Sequence, residues 1–136
     1  MRVLITVKDF SRFSALVARL RRELAIELVP AATGAAGLAA LKDKAIDLVI
    51  VDAQLDDMDG IAFINQLVRI NPMINTALVS GLTEGEFHEA TEGLGVLMQL
   101  PLQPREIDGE ALLAGLEKIG ALMQPVVQPL SATVPS

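Results

Sequence analysis

The chain predicts a doubly wound three-layer α/β/α domain built on parallel strands. Three observations predict it: short apolar β-branched runs bounded by charge, stretches with three- and four-residue apolar spacing between them, and alternation of the two kinds along the chain. Parallel strands joined by helices demand right-handed crossovers, which place helices on both faces of the sheet. A length of 136 residues with 51% hydrophobic side chains fits one compact domain.

The first strand is read over Val3 to Val7, and Phe13, Leu16, Val17 and Leu20 then recur at helical spacing. Ile26 to Val29 is a weaker strand that runs into Pro30, which suits an edge position because proline offers no ladder N–H. Leu38, Leu41 and Ala45 mark the second helix, and Asp47 to Asp52 a strand apolar on both faces. Phe63, Ile64, Leu67 and Val68 follow as a third helix, then Ala77 to Val79 as a strand. Thr83-Glu84-Gly85-Glu86 has capping-box spacing and opens a fourth helix. Val96 to Met98 is the fifth strand. Leu112, Leu113, Leu116, Ile119, Leu122 and Met123 give the last helix its apolar face, which Gly109, Gly115 and Gly120 weaken. The domain is therefore expected over 1–123. Residues 124–136, with Pro125, Pro129 and Pro135 and no helical period, are expected to be a disordered tail or linker.

Composition excludes several kinds of chemistry. A net charge of −6 disfavours binding to a nucleic-acid backbone. The absence of cysteine removes disulfides, thiolate nucleophiles and Cys-based metal sites, and one histidine, His88, rules out multi-His cages. Without Trp or Tyr there is no stacking platform for bases. No apolar run approaches the roughly 20 residues of a membrane span, and charge at Lys8 and Asp9 comes too early for a signal peptide, so a cytoplasmic location is expected.

In an open parallel sheet, ligands gather beyond the carboxyl ends of the strands. The residues there are Lys8, Asp9, Asp52, Ser80 and Leu100. Two carboxylates facing each other raise each other's proton affinity unless a cation compensates, so Asp9 and Asp52 form a candidate hard-oxygen site for Mg²⁺. Taken singly, Asp52 equally suits a turn or helix cap, and Ser80 a hydroxyl bonding its own loop. Leu55 to Gly60 imitates part of a calcium loop, but Leu55 stands at the first ligand position and Gln66 at the last. His88 reads as a surface residue, and Gly93-Leu94-Gly95 as a turn.

Asp52-Ala53-Gln54-Leu55-Asp56-Asp57-Met58-Asp59-Gly60, preceded by Asp47 to Val51, resembles the phosphoacceptor loop of two-component response regulator receiver domains, the CheY-like family. The resemblance extends over 1–123 in element order, with Val7-Lys8-Asp9-Phe10-Ser11 at the acidic loop, Ser80-Gly81 at the switch hydroxyl and Leu100-Pro101 before the last helix. It implies a flavodoxin-like five-stranded parallel sheet of order 2-1-3-4-5. It also implies Asp52 as phosphoacceptor, Ser80 as switch hydroxyl, and Mg²⁺ held by Asp9, Asp52 and the backbone carbonyl of Gln54. A cis peptide before Pro101 is a further family trait.

Four residues depart from the family pattern. Lys8 replaces the first acid of the pair, which weakens Mg²⁺ binding; Asp56 replaces a proline; Leu97 stands where an aromatic toggles; and Leu100 replaces the lysine that pairs with the phosphoryl group. This register keeps Phe13, Leu16, Val17 and Leu20 on the inner face of the helix. A shift by one, which would also turn Arg12 inward, is disfavoured. Lys8 is then a candidate to supply positive charge to Asp52 from the opposite loop.

The resemblance implies a signalling domain that accepts a phosphoryl group on Asp52 from a histidine kinase or phosphotransfer protein, with weakened chemistry. It is no enzyme beyond Mg²⁺-dependent self-phosphorylation. Downstream proteins, or a second copy in a homodimer, would dock on the fourth helix, fifth strand and last helix. Its alternative is a phosphorylation-independent pseudo-receiver that acts only as an interaction module. An enzyme on the same scaffold lacks a visible glycine-rich phosphate loop or flavin clamp.

Overall fold

Strands β1 (Arg2–Thr6), β2 (Glu27–Ala31), β3 (Leu48–Val51), β4 (Asn75–Val79) and β5 (Val96–Leu100) form one parallel sheet in the order β2-β1-β3-β4-β5. Between and after them run α1 (Ser14–Arg21), α2 (Gly34–Asp43), α3 (Gly60–Ile70), α4 (Glu84–Ala90) and α5 (Glu106–Lys118), with a 3-10 turn at Phe10–Phe13 ahead of α1. This computed structural model describes residues 1–120. The expected tail at 124–136, the boundary at 123, and Leu122 and Met123 lie outside the described residues. The doubly wound architecture and strand order expected from the sequence are the ones the chain builds.

All four residues of β3 are buried, as a continuous apolar run in a sheet covered on both faces requires. Successive side chains point to opposite faces. Leu48 and Ile50 join Val3, Ile5, Phe13, Leu16, Leu20, Leu112 and Leu116 under α1 and α5. Val49 and Val51 join Leu4, Phe63, Ile64 and Leu67 under α2 and α3. Pro30 lies opposite Ile5 in β2, an edge strand, where its missing N–H costs no inner ladder bond.

Helix ends follow their local chemistry. Thr33 caps α2 by accepting from the Ala36 N–H, Asp59 caps α3 through Ala62 at 2.7 Å, and Thr83 and Glu86 form the reciprocal box expected at α4. Gly120, at φ +74°, follows the end of α5 in the left-handed conformation that glycine tolerates, and Ile119 is left half exposed outside the core. Helix α2 lies close to the sheet because Gly37 carries no side chain: a Cβ there would collide with Thr6 Oγ1 and stand 2.9 Å from Phe63 Cε1. Asp57, in the loop after β3, accepts from the N–H groups of Gly34 at 2.8 Å and Ala35 at 2.9 Å, so it ties its own loop to the start of α2. On the other face, Gly109 of α5 receives the stem of Arg19, and the Arg19 guanidinium bonds Glu23 at 3.0 Å and Glu110 at 2.9 Å. Arg22 reaches Glu106 at 3.0 Å.

Two outcomes follow from this packing. Phe63 is wholly buried, and Phe63→Ala is expected to cost about 3–5 kcal/mol, read as a lower urea midpoint at unchanged m. The N–H groups of Ala35 and Gly34 hold the Asp57 carboxyl below the usual carboxylate range. A lowered folded value stabilises the protein above the unfolded pKa, about 3.9, and that contribution is lost as pH falls through the folded value. Asp57→Asn should therefore lower Tm at neutral pH, with the two Tm curves converging in acid.

Candidate functional site

The crevice beyond the carboxyl ends of the strands is centred on Asp52, which follows β3 and is 2% exposed. An ionised carboxylate at that depth needs partners. Asp52 Oδ1 accepts from the Ala53 N–H at 2.9 Å and from Arg12 Nη2 at 3.3 Å. Asp52 Oδ2 accepts from the Lys8 N–H at 3.2 Å and from Arg12 Nη1 at 3.3 Å. The guanidinium thus forks across both oxygens, the geometry for which arginine is preorganised. Its other edge donates to the Leu102 carbonyl, from Nη2 at 2.8 Å and Nε at 3.3 Å. The guanidinium carbon lies 5.0 Å from the centroid of the Phe13 ring, a cation–π contact.

Arg12 enters this site from the 3-10 turn ahead of α1. Phe13, Leu16, Val17 and Leu20 are buried, as the preferred register requires, yet Arg12 also points into the crevice. Arg12 does not join that inner face: its side chain is 32% exposed and its guanidinium lies on Asp52. The tighter turn at Phe10–Phe13 does not share the angular phase of the α-helix behind it. Asp9 caps the turn by accepting from Ser11 N at 3.0 Å and Ser11 Oγ at 2.6 Å, and these bonds, the hydroxyl's first, hold its carboxyl below the usual range. Lys8 brings its backbone N–H to Asp52, while its ammonium stands 3.5 Å from Asp56. The cation that pairs with Asp52 is Arg12.

Gly60 keeps room for this arrangement. A Cβ there would collide with the Asp52 carbonyl oxygen and approach Leu78 Cδ1 to 2.9 Å. Gln54 lies in the same loop, in an antiparallel bridge with Asp59. Ser80 is buried after β4, where its hydroxyl accepts from the Leu82 N–H at 3.0 Å and its N–H donates to the Leu100 carbonyl at 2.9 Å. Leu100 is wholly buried in the core under α1 and α5, and Leu97 is half buried against the same core. The cis peptide expected before Pro101 is corrected, since the described residues contain no cis bond. With Leu100 an apolar core residue, no charged contact at that position opposes the ordinary trans preference.

The resemblance implies Mg²⁺ held at this end of the sheet by Asp9, Asp52 and the Gln54 carbonyl. The residues here do not fit that ion: a guanidinium occupies both Asp52 oxygens, Asp9 is committed to Ser11, and position 8 carries a lysine. Among the described residues no group of three or more His, Asp or Glu side chains is placed to hold a metal. Sequence reasoning named Asp52, Ser80 and the departures at Lys8 and Leu100, but it left Arg12 out of the site. The available signal was an apolar Leu100 beside the strand-end carboxylate of Asp52, which calls for a cation from elsewhere.

Removing Arg12 would leave a buried carboxylate with backbone donors alone. The Arg12 side chain is 32% exposed and that of Asp52 3%, so the pair lies between the exposed and buried limits. Arg12→Ala is expected to cost about 1–3 kcal/mol in urea unfolding. Gly60→Ala is expected to destabilise by a similar ~1–3 kcal/mol, with NMR shifts centred on Asp52.

The family model described as "Response regulator receiver domain" matches residues 4–103. The sensor histidine kinase CheAY of Helicobacter pylori is 30% identical over 80 residues, 57% of this chain and 10% of that protein. The chain therefore spans about a tenth of that relative's length. A CheY-like response regulator receiver domain protein from Methanospirillum hungatei JF-1 superposes with a TM-score of 0.72 at 22% identity, over 87% of this chain and 91% of the other. The signal receiver domain of an HD domain-containing protein from Pseudomonas fluorescens Pf-5 does so with a TM-score of 0.74 at 20% identity, over 88% and 89%. These likenesses show the same fold. With the family match over most of its length, the chain belongs to the response regulator receiver domains of two-component signalling systems.

Proposed function

We propose that this receiver domain works as a docking module whose pocket is neutralised from within, and not as a Mg²⁺-dependent phosphoacceptor. The observation that carries this reading is the Arg12 fork on Asp52, which occupies the two oxygens that a metal and an incoming phosphoryl group would both need. Losing a metal ligand at Lys8 and the cation at Leu100 acts in the same direction. The partners are a histidine kinase or phosphotransfer protein on one side and a downstream protein on α4, β5 and α5 on the other. Beside the crevice, Leu82, Leu102 and Ile107 give that second surface exposed apolar side chains. The same surface is where a homodimer would form. No helix among the described residues is long and apolar enough to cross a membrane, and the reading places the domain in the cytoplasm, with the receiver unit over 1–123 and a tail after it. It assigns the domain no enzymatic turnover.

A second reading has its own support. Asp52 follows a buried strand, Ser80 is buried at the end of the neighbouring strand, and a guanidinium is well matched to phosphoryl oxygens, so Arg12 is able to stand in for the missing lysine. In that reading Asp52 takes a phosphoryl group with weakened dependence on Mg²⁺.

A titration with Mg²⁺ and then beryllofluoride, followed by amide NMR, decides between them, with intact mass after exposure to a small phosphodonor as a second readout. The docking reading expects no Asp52-dependent shifts at Asp9, Asp52 or Ser80 at millimolar-scale ligand and no phosphoryl adduct. Shifts or an adduct that disappear in Asp52→Ala would overturn it in favour of the second reading.

A further inference from the structure

The loop between β5 and α5 has few means of holding itself. It contains Pro101 and Pro104, neither of which has an N–H, and it lies outside regular secondary structure. Pro104 is buried and fixes the far end, and the near end is fixed where the Leu100 carbonyl accepts from Ser80. Between these points, the hydrogen bonds that reach residues 101–104 among the described residues come from Arg12 alone, two N–H groups meeting the Leu102 carbonyl. The Leu102 side chain lies over Gly81, where a Cβ would meet Leu102 Cδ1 at 3.1 Å. It also lines, with Leu82, Gln99, Arg105 and Asp108, a groove of about 570 Å³.

Arg12 uses four of its five N–H groups, two on Asp52 and two on Leu102. One planar group is bonded on one edge to the β3 carboxylate and on another to the β5–α5 loop. We propose that Arg12 is a metal-independent latch that couples the carboxylate of Asp52 to the position of Leu102 and so shapes the groove beside it. Loss of the negative charge at Asp52 releases the guanidinium, and the loop loses its central tether. Lysine cannot replace it: an ammonium is a point charge without a planar fork, and it would serve Asp52 or Leu102 but not both in this geometry.

The test is backbone amide relaxation on the full chain for wild type, Arg12→Lys and Asp52→Asn. In the wild type, Leu102 and Gln103 are expected at the order parameter of rigid backbone, about 0.85, and in both variants near or below about 0.6. Amides of α3 should keep their wild-type values. The latch is overturned if Leu102 and Gln103 stay rigid in Arg12→Lys, or if order falls equally along α3, which marks general loosening. Should Asp52→Asn fail to fold, Arg12→Lys decides alone, because it retains the charge opposite Asp52. The outcome is separate from the beryllofluoride titration, since a latched loop is compatible with either reading of Asp52.

Discussion

A parallel sheet buried on both faces leaves its polar chemistry one outlet, the carboxyl ends of the strands. Leu48 to Val51 are all buried, so the first residue able to carry charge after β3 is Asp52, and it does so at almost no exposure. The surrounding loops are arranged around that carboxylate. Two backbone N–H groups converge on it, Gly60 makes way for its carbonyl, and a guanidinium arrives from the opposite loop. Family membership shows what the scaffold is; the pairing at Asp52 shows how this chain's own loops neutralise the carboxylate at its centre.

The architecture was largely legible in the sequence because its signals are local and repeated. Alternating runs of Val, Ile and Leu set the strands, Pro30 marked an edge, and Thr83 with Glu86 announced α4 before any tertiary contact was known. Ala45, expected on the face of α2, falls beyond its end, and Ile119 falls beyond the end of α5, because a terminus is decided by caps and by one glycine as much as by spacing.

The site was legible only in its fixed members. Asp52 and Ser80 sit at strand ends, where alternation alone places them. Arg12 escaped because periodicity assigns a side chain to one face of a regular helix, and this residue belongs to a 3-10 turn capped by Asp9. The carboxylate that would pass for a metal ligand is the one that shapes the turn, and in shaping it directs a cation to Asp52. Likewise Lys8 contributes through its peptide N–H, a role that carries no side-chain signature. The loop after β1 thus serves Asp52 twice, through the Lys8 N–H and the Arg12 guanidinium.

The helices around the sheet are unequally tied. On one side α1 and α5 are drawn together at Gly109 and bridged by Arg19 and Arg22 to Glu23, Glu106 and Glu110, so they behave as a single plate. At the far edge α4 is seven residues long and sinks one residue, Phe87, into the core. Thermal fluctuation concentrates where the restoring forces are weakest. The ties are therefore dense between α1 and α5 and sparse at α4, so local opening of the α4 edge breaks the fewest buried contacts.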